Sequence, residues 1–229
     1  MSADEFSVEF DILYNNIQSN QSPGLNLLEK SILLTQAKEL VIKDLYSGNS
    51  GPYEANEEVM QYLQKLTYQT NYTIDSSETG GQQYNFDMSD MEPKCWFIVY
   101  EQAKLKRDDC DESYYVPVTA ITHNEFAKAM DNPFRKPDRR TVLRVLIGDT
   151  IQLYCDDKTA LQGYSVRYLA QPSKIYLDNF TQGSVPDEWV LPNSITWSVY
   201  KTNVCPDLPE SLHRTILIKA VQLAKAAWA

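Results

Sequence analysis

The chain has 229 residues, with 31 acidic against 21 basic side chains and a formal net charge of −10. Its 43% hydrophobic and 11% aromatic content excludes wholesale disorder and suits one large domain or two small ones. The acidic balance excludes nonspecific binding to the outside of a nucleic acid, which needs Lys and Arg to displace counterions, but permits an acidic lumen along which a duplex slides.

Residues 4–18 read as an amphipathic helix, with Phe6, Phe10, Leu13 and Ile17 at helical spacing. The polar run Ser19–Gly24 breaks it. Asn26 and Glu29 form a capping box that opens a second helix, running to about Tyr46. Leu34, Ala37, Val41 and Leu45 share one face of it, with Leu33 and Leu40 beside them and Ile32 and Ile42 off that face, an apolar girdle wide enough to pack on more than one side. Gly48–Gly51–Pro52 ends this helix, and a third, about 54–67, turns Val59, Leu63 and Leu66 inward. Residues 71–91, centred on Gly80-Gly81, read as a loop or irregular extended segment.

The apolar period then changes to two. Cys95–Ala103, Tyr114–Ala120, Thr141–Ile147, Ile151–Cys155, Gly163–Ala170 and Lys174–Leu177 are strand-like. Their breaks are mostly short, which favours antiparallel pairing, and Pro117 suits an edge or a bulge. Between the second and third of these strands, Thr122 and Glu125 give another capping-box pattern, and Asp131-Asn132-Pro133 stops that helix. Arg135, Lys136, Arg139, Arg140 and Arg144 then concentrate positive charge in an acidic chain. The cluster reads as a docking surface for an acidic partner or an approach to DNA, or else as a charged loop in water.

Residues 179–206 read as loop, and Asp207 caps a final helix with Lys219 and Lys225 toward its end. Leu212, Ile216, Ala220 and Leu223 form one stripe along it, to be buried on its own domain or against a neighbour. The expected fold class is α+β, one compact chain. It has a helical region over 1–70, an antiparallel β region over 92–178 and a C-terminal helix over 207–229, with 71–91 and 179–206 as loops.

Catalytic grammar is missing from the sequence. There is no nucleophile elbow, phosphate-binding glycine loop or zinc-protease motif. His123 and His213 read as surface or cap residues. The acidic run around Cys110 reads as a solvated hairpin tip, since it lacks the ligand spacing of a calcium loop. Cys95, Cys110, Cys155 and Cys205 are widely spaced and read as free thiols in a reducing cytosol. No catalytic residue, metal or cofactor is expected, and no signal peptide or membrane span is seen. The fifteen tyrosines suit half-buried contact surfaces and, equally, half-exposed β faces.

Several segments together carry a family resemblance. The opening MSADEFSVEFDILYNNI and GLNLLEKSILLTQAKELVIKDLY, the central VPVTAITHNEFAKAMDNPFRKPDRRTVLRV, the pair YSVRYLAQPSKIYL and the ending LPESLHRTILIKAVQLAKAAW resemble virion structural proteins of tailed bacteriophages. The resemblance is to those of crAss-like and other Bacteroides phages, and it covers most of the chain in order, with little in 70–91 and 179–203. It implies a head-to-tail connector subunit, made in the host cytoplasm and built into the virion. Such a subunit forms a homo-oligomeric ring, a dodecamer, beneath the portal and beside neighbouring connector or tail rings. DNA passes through the lumen without sequence-specific contact. Arg135, Arg139, Arg140, Arg144 and the stripe Leu212, Ile216, Ala220, Leu223 are then the candidate subunit or partner interface. The alternatives are another tail or capsid-associated accessory protein and, in a different class, a small cytosolic enzyme or ligand-binding domain.

Overall fold

The computed structural model describes residues 1–15, 24–47, 57–74, 83–107 and 112–227. The breaks expected at 19–23, at Gly48–Gly51–Pro52 and at Gly80-Gly81 lie outside the described residues, as do Ile17 and the run Asp108–Asp111 around Cys110. The chain divides into two units. One joins residues 1–66 to 172–229, and the other is the intervening segment 67–171. The regions expected from the sequence follow one another along the chain, whereas here the two chain ends share a unit.

The first unit is helical. Helix α1, Ala3–Asn15, buries Ala3, Phe6, Phe10 and Tyr14. Helix α2, Leu27–Ser47, starts at the capping box expected for it. Asn26 N donates to Glu29 Oε2 and Glu29 N to Asn26 Oδ1, both at 2.8 Å. Helix α3, Glu57–Leu63, follows and buries Val59 and Leu63.

The wide buried surface of α2 includes Leu34, Ala37, Val41 and Ile42, and also a polar stripe of Ser31, Thr35 and Lys38 at helical spacing. That stripe receives extended chain. Ile175 N donates to Thr35 Oγ1 at 3.0 Å, and Leu177 N to Ser31 Oγ at 3.1 Å. Lys38, fully buried, reaches Ser173 O at 2.9 Å and Asp207 Oδ2 at 2.8 Å. Two sequence expectations are thereby corrected. Lys174–Leu177 is not a strand of the sheet, because its alternate amides are satisfied by helix side chains. Asp207 does not cap the last helix, because its carboxylate also accepts from Ser173 N and Oγ as the counter-charge of a buried lysine.

The last helix, α6, is His213–Ala226, preceded by the short helix α5, Trp197–Tyr200, and a 3-10 turn at Glu210–Leu212. It packs on α2 and α1. His213 is buried rather than at the surface. Its ring lies 5.4 Å from that of Phe6, and its Nε2 is 3.3 Å from Cys205 O.

The second unit is a seven-stranded sheet in the order β1-β7-β3-β4-β5-β6-β2. The strands are β1 Thr67–Thr73, β2 Gln83–Asp87, β3 Cys95–Arg107, β4 Ser113–Ala120, β5 Val142–Ile147, β6 Thr150–Tyr154 and β7 Thr159–Ala170. Strand β2 and most of β1 fall in chain expected to be helix end or loop. Their polar, outward positions hide the period. Every pairing is antiparallel except β4–β5, which is parallel and is bridged by the long connection that carries α4, His123–Asp131.

Pro117 sits inside the order rather than on an edge strand. It lies where β4 leaves β3, which it pairs over Ser113–Pro117, and joins β5 over Val118–Ala120. The β5–β6 turn uses Gly148 at φ +58°, a conformation other residues adopt at a cost.

The sheet curls until its outermost strands meet side chain to side chain. The rings of Tyr72 on β1 and Phe86 on β2 are 4.9 Å apart, and the Tyr72 hydroxyl donates to Asp87 O at 3.3 Å. Tyr164 of β7 lies 6.0 Å from the Tyr72 ring and 5.1 Å from that of Phe86. Ala103, Leu105, Val116, Ile151, Leu153 and Val166 fill the rest of this interior.

Candidate assembly interface

The basic segment is built on a stiff connection. Helix α4 spans the residues expected, although Thr122 makes no side-chain cap bond and its capping box is not formed. Asn132 ends the helix in extended conformation and then organises the turn. Its side-chain oxygen accepts from Phe134 N at 2.9 Å, and its carbonyl accepts from Arg135 N at 3.0 Å and Lys136 N at 2.9 Å. A second turn follows, in which Asp138 Oδ1 accepts from Arg140 N at 2.7 Å and Asp138 bridges to Thr141. These bonds leave the side chains outside. Arg135, Lys136, Arg139 and Arg140 are exposed, and Phe134 is 96% exposed. Single exposed apolar residues are ordinary, but a nearly naked phenylalanine on a hydrogen-bonded turn, set among four cations, is a built feature.

Arg144 does not share that surface. It lies on β5 with its side chain 11% exposed and its Nε 2.9 Å from Glu101 Oε2. Glu101 in turn accepts a short hydrogen bond from the Tyr164 hydroxyl. Burial pushes the Glu101 carboxyl above the usual carboxylate range, outweighing the pull of Tyr164 and Arg144, and burial beside that carboxylate raises the Tyr164 phenol. This triad sits inside the curled sheet and ties β3, β5 and β7 together.

The C-terminal stripe is likewise internal. Leu212, Ile216 and Ala220 are buried within the helical unit, and Leu223 is half-buried.

The outward side of α1 carries a feature that the amphipathic reading passed over. Val8 and Ile12, one helical turn apart, are 56% and 52% exposed. Asp4, Glu5 and Glu9 surround them and are exposed, while Asp11 is engaged by Lys30 at 2.7 Å. The signal was present in the sequence as two β-branched residues, at i and i+4, off the buried stripe and between acids. Phe134 was visible in the Asn-Pro-Phe turn, but no period assigned it to a face.

A groove of about 410 Å³ on the β unit is lined by Gln69, Asn71, Gln102, Lys104, Tyr115 and Ser165 among others. Three of its polar side chains pair with one another. Ser165 Oγ donates to Asn71 Oδ1 at 2.7 Å, and Gln69 Nε2 donates to Ser165 Oγ at 3.1 Å. Cys95, Cys155 and Cys205 are free and buried, and burial pushes the first two thiols up to about 11 and about 12, where they stay protonated at neutral pH. His123 is exposed in the first turn of α4. Among the described residues no group of His, Cys, Asp and Glu is placed to hold a metal ion, and no helix is long and apolar enough to cross a membrane.

The chain is thus an α+β protein that presents, among its exposed features, a hydrogen-bonded cationic turn and an acid-flanked apolar pair. It belongs to the phage tail ring protein 3/4 family of crAss-like phages, whose sequence model matches residues 1–229. Ring protein 3 of Bacteroides phage crAss001 is 33% identical, over 98% of this chain and 95% of that protein. Ring protein 4/5 of the same phage is 26% identical, over 100% of this chain and 94% of that protein. The chain is accordingly a phage ring structural protein.

Proposed function

We propose that this chain is the repeating subunit of a connector ring that joins the portal to the tail, extends the DNA channel and catalyses no reaction. The end-to-end family match carries this reading, since relatives named as rings align over nearly their whole length. In this reading the ring is a dodecamer of identical subunits and stacks against neighbouring connector or tail rings. Arg135, Arg139 and Arg140 lie in its contacts, while Arg144 and the C-terminal stripe support the subunit from inside. A formal net charge of −10 makes free subunits repel, so assembly waits for a template that offsets that cost. The same acidity lets DNA pass without being held, and no sequence is read.

Native mass spectrometry of the purified chain, with and without portal, tests the reading. The expected spectra are a monomer alone and a closed ring of chains, twelve in number, on portal. A chain that remains monomeric with portal and with neighbouring ring proteins overturns it.

A further inference from the structure

We infer that Phe134 is the anchor of the contact between adjacent subunits, and that the acid-rimmed pair Val8 and Ile12 on α1 of the next copy receives it. The inference rests on the ring reading above and supplies the two surfaces that a ring needs. A head-to-tail contact joins two different patches on one chain, and repeating it around an axis closes a ring.

The two patches match in kind. One is a single aromatic ring, 96% exposed, followed within six residues by the exposed Arg135, Lys136, Arg139 and Arg140. The other is a pair of exposed aliphatic side chains with Asp4, Glu5 and Glu9 around it. Apolar centre meets apolar centre while cations meet carboxylates. This is the usual layout of an interface hot spot, an aromatic anchor within a charged rim.

Both patches are held ready. The turn that presents Phe134 is fixed by Asn132, and α1 is fixed by its buried Phe6 and Phe10. Little ordering entropy remains to oppose the contact. The carboxylates on α1 are also available. Asp11 is neutralised by Lys30, but Asp4 and Glu9 are exposed, and the exposed Glu5 accepts from the backbone of Ser2 at 2.8 Å.

The test uses the full chain under the condition in which the wild type forms rings, alone or on portal. Phe134→Ala is expected to raise the concentration needed for half-assembly roughly thirtyfold, the loss typical of a hot-spot residue. Arg139→Glu with Arg140→Glu should block assembly, as should Asp4→Lys with Glu9→Lys, and the quadruple variant that carries both swaps should recover it. Circular dichroism of each variant confirms its fold.

Cysteine pairing then locates the contact. In a Cys110→Ser background, one chain carries Phe134→Cys and another Ile12→Cys. Their oxidised mixture should give a cross-linked heterodimer, and a chain carrying both changes should give a ladder of multimers. If wild-type rings form but Phe134→Ala assembles normally, the quadruple swap fails to recover, or no cross-link forms between chains, the inference is overturned and the ring reading stands. If the wild type forms no ring under any of these conditions, the ring reading itself falls.

Discussion

At the scale of single residues, the chain spends its buried charge as reinforcement. Glu101 and Arg144 form a nearly dry ion pair, and Tyr164 completes it. Removing one member leaves the other charge buried and unpaired, which costs about 3–5 kcal/mol, whereas replacing both by apolar residues is often neutral. Glu101→Gln is therefore expected to lower the urea midpoint sharply, and Glu101→Leu with Arg144→Met to recover most of the loss. A double-mutant cycle measures the coupling directly.

His213 gives the helical unit a pH dependence. Burial first, and then the Met1 ammonium 3.4 Å from its Nδ1, hold its pKa below the ordinary value of about 6.5. The unfolded chain thus binds the proton more readily than the folded one. This contribution to stability is whole above about pH 6.5 and declines as the pH falls toward the folded value. Thermal melts from pH 7.5 to 5 should show that decline, and His213→Gln should flatten it.

At the scale of elements, α2 is the organiser of the helical unit, because its Ser31, Thr35 and Lys38 bind extended chain about 140 residues away in sequence. Ser31→Ala with Thr35→Val removes the acceptors of two buried amides, at Leu177 and Ile175. Each unmet amide costs about 1–3 kcal/mol, so the double variant should lose several kcal/mol. Hydrogen exchange at residues 175 and 177 should rise before that of the α2 backbone.

This pairing also explains what the sequence revealed and what it hid. The period of two in CWFIVYEQA marked β3 because Glu101, Ala103 and Leu105 are buried while Gln102, Lys104 and Lys106 between them are half-buried, whereas TVLRVLI marked β5 by its apolar run, with Val142 and Leu143 buried on opposite sides. The same period in KIYL marked extended chain correctly, but it could not say that the partner is a helix. The capping box at Asn26 and Glu29 was legible because it is local. Asp207 had the same local look, and its carboxylate was claimed by Lys38 from 169 residues away. Strand β1, with Gln69 and Asn71 facing outward, carried no apolar alternation to read. Of the candidate interface, the cations of 135–140 could be placed from sequence because they crowd one loop. Arg144, four residues on, could not be separated from them without knowing which face of β5 looks inward.

At the scale of the whole molecule, the sheet unit is an insertion in the helical one. Its first and last strands are neighbours, with Thr67 paired to Leu169, so the chain enters and leaves it along adjacent strands about 5 Å apart. A chain in which residues 67–171 are replaced by a short glycine-rich linker should keep the α1–α2–α6 core. The check is a helical circular-dichroism spectrum with cooperative unfolding, and a spectrum without helix would count against the division. Residues 67–171 expressed alone should likewise fold, since the curled sheet supplies its own interior.

The charges around Phe134 have one more effect, and it concerns which contacts fail. A naked aromatic ring on a stiff turn invites the ring of another copy to stack against it, and a two-fold dimer of that kind would be a dead end. Bringing two such turns together sets Arg135, Lys136, Arg139 and Arg140 of each against the same four of the other. Like charges in close contact cost several kcal/mol, more than one pair of stacked rings returns. The turn thus rejects its own image. In the proposed ring, contacts that join unlike faces remain, and these would leave an unused face of each kind at the two ends of a growing arc until the last subunit closed it.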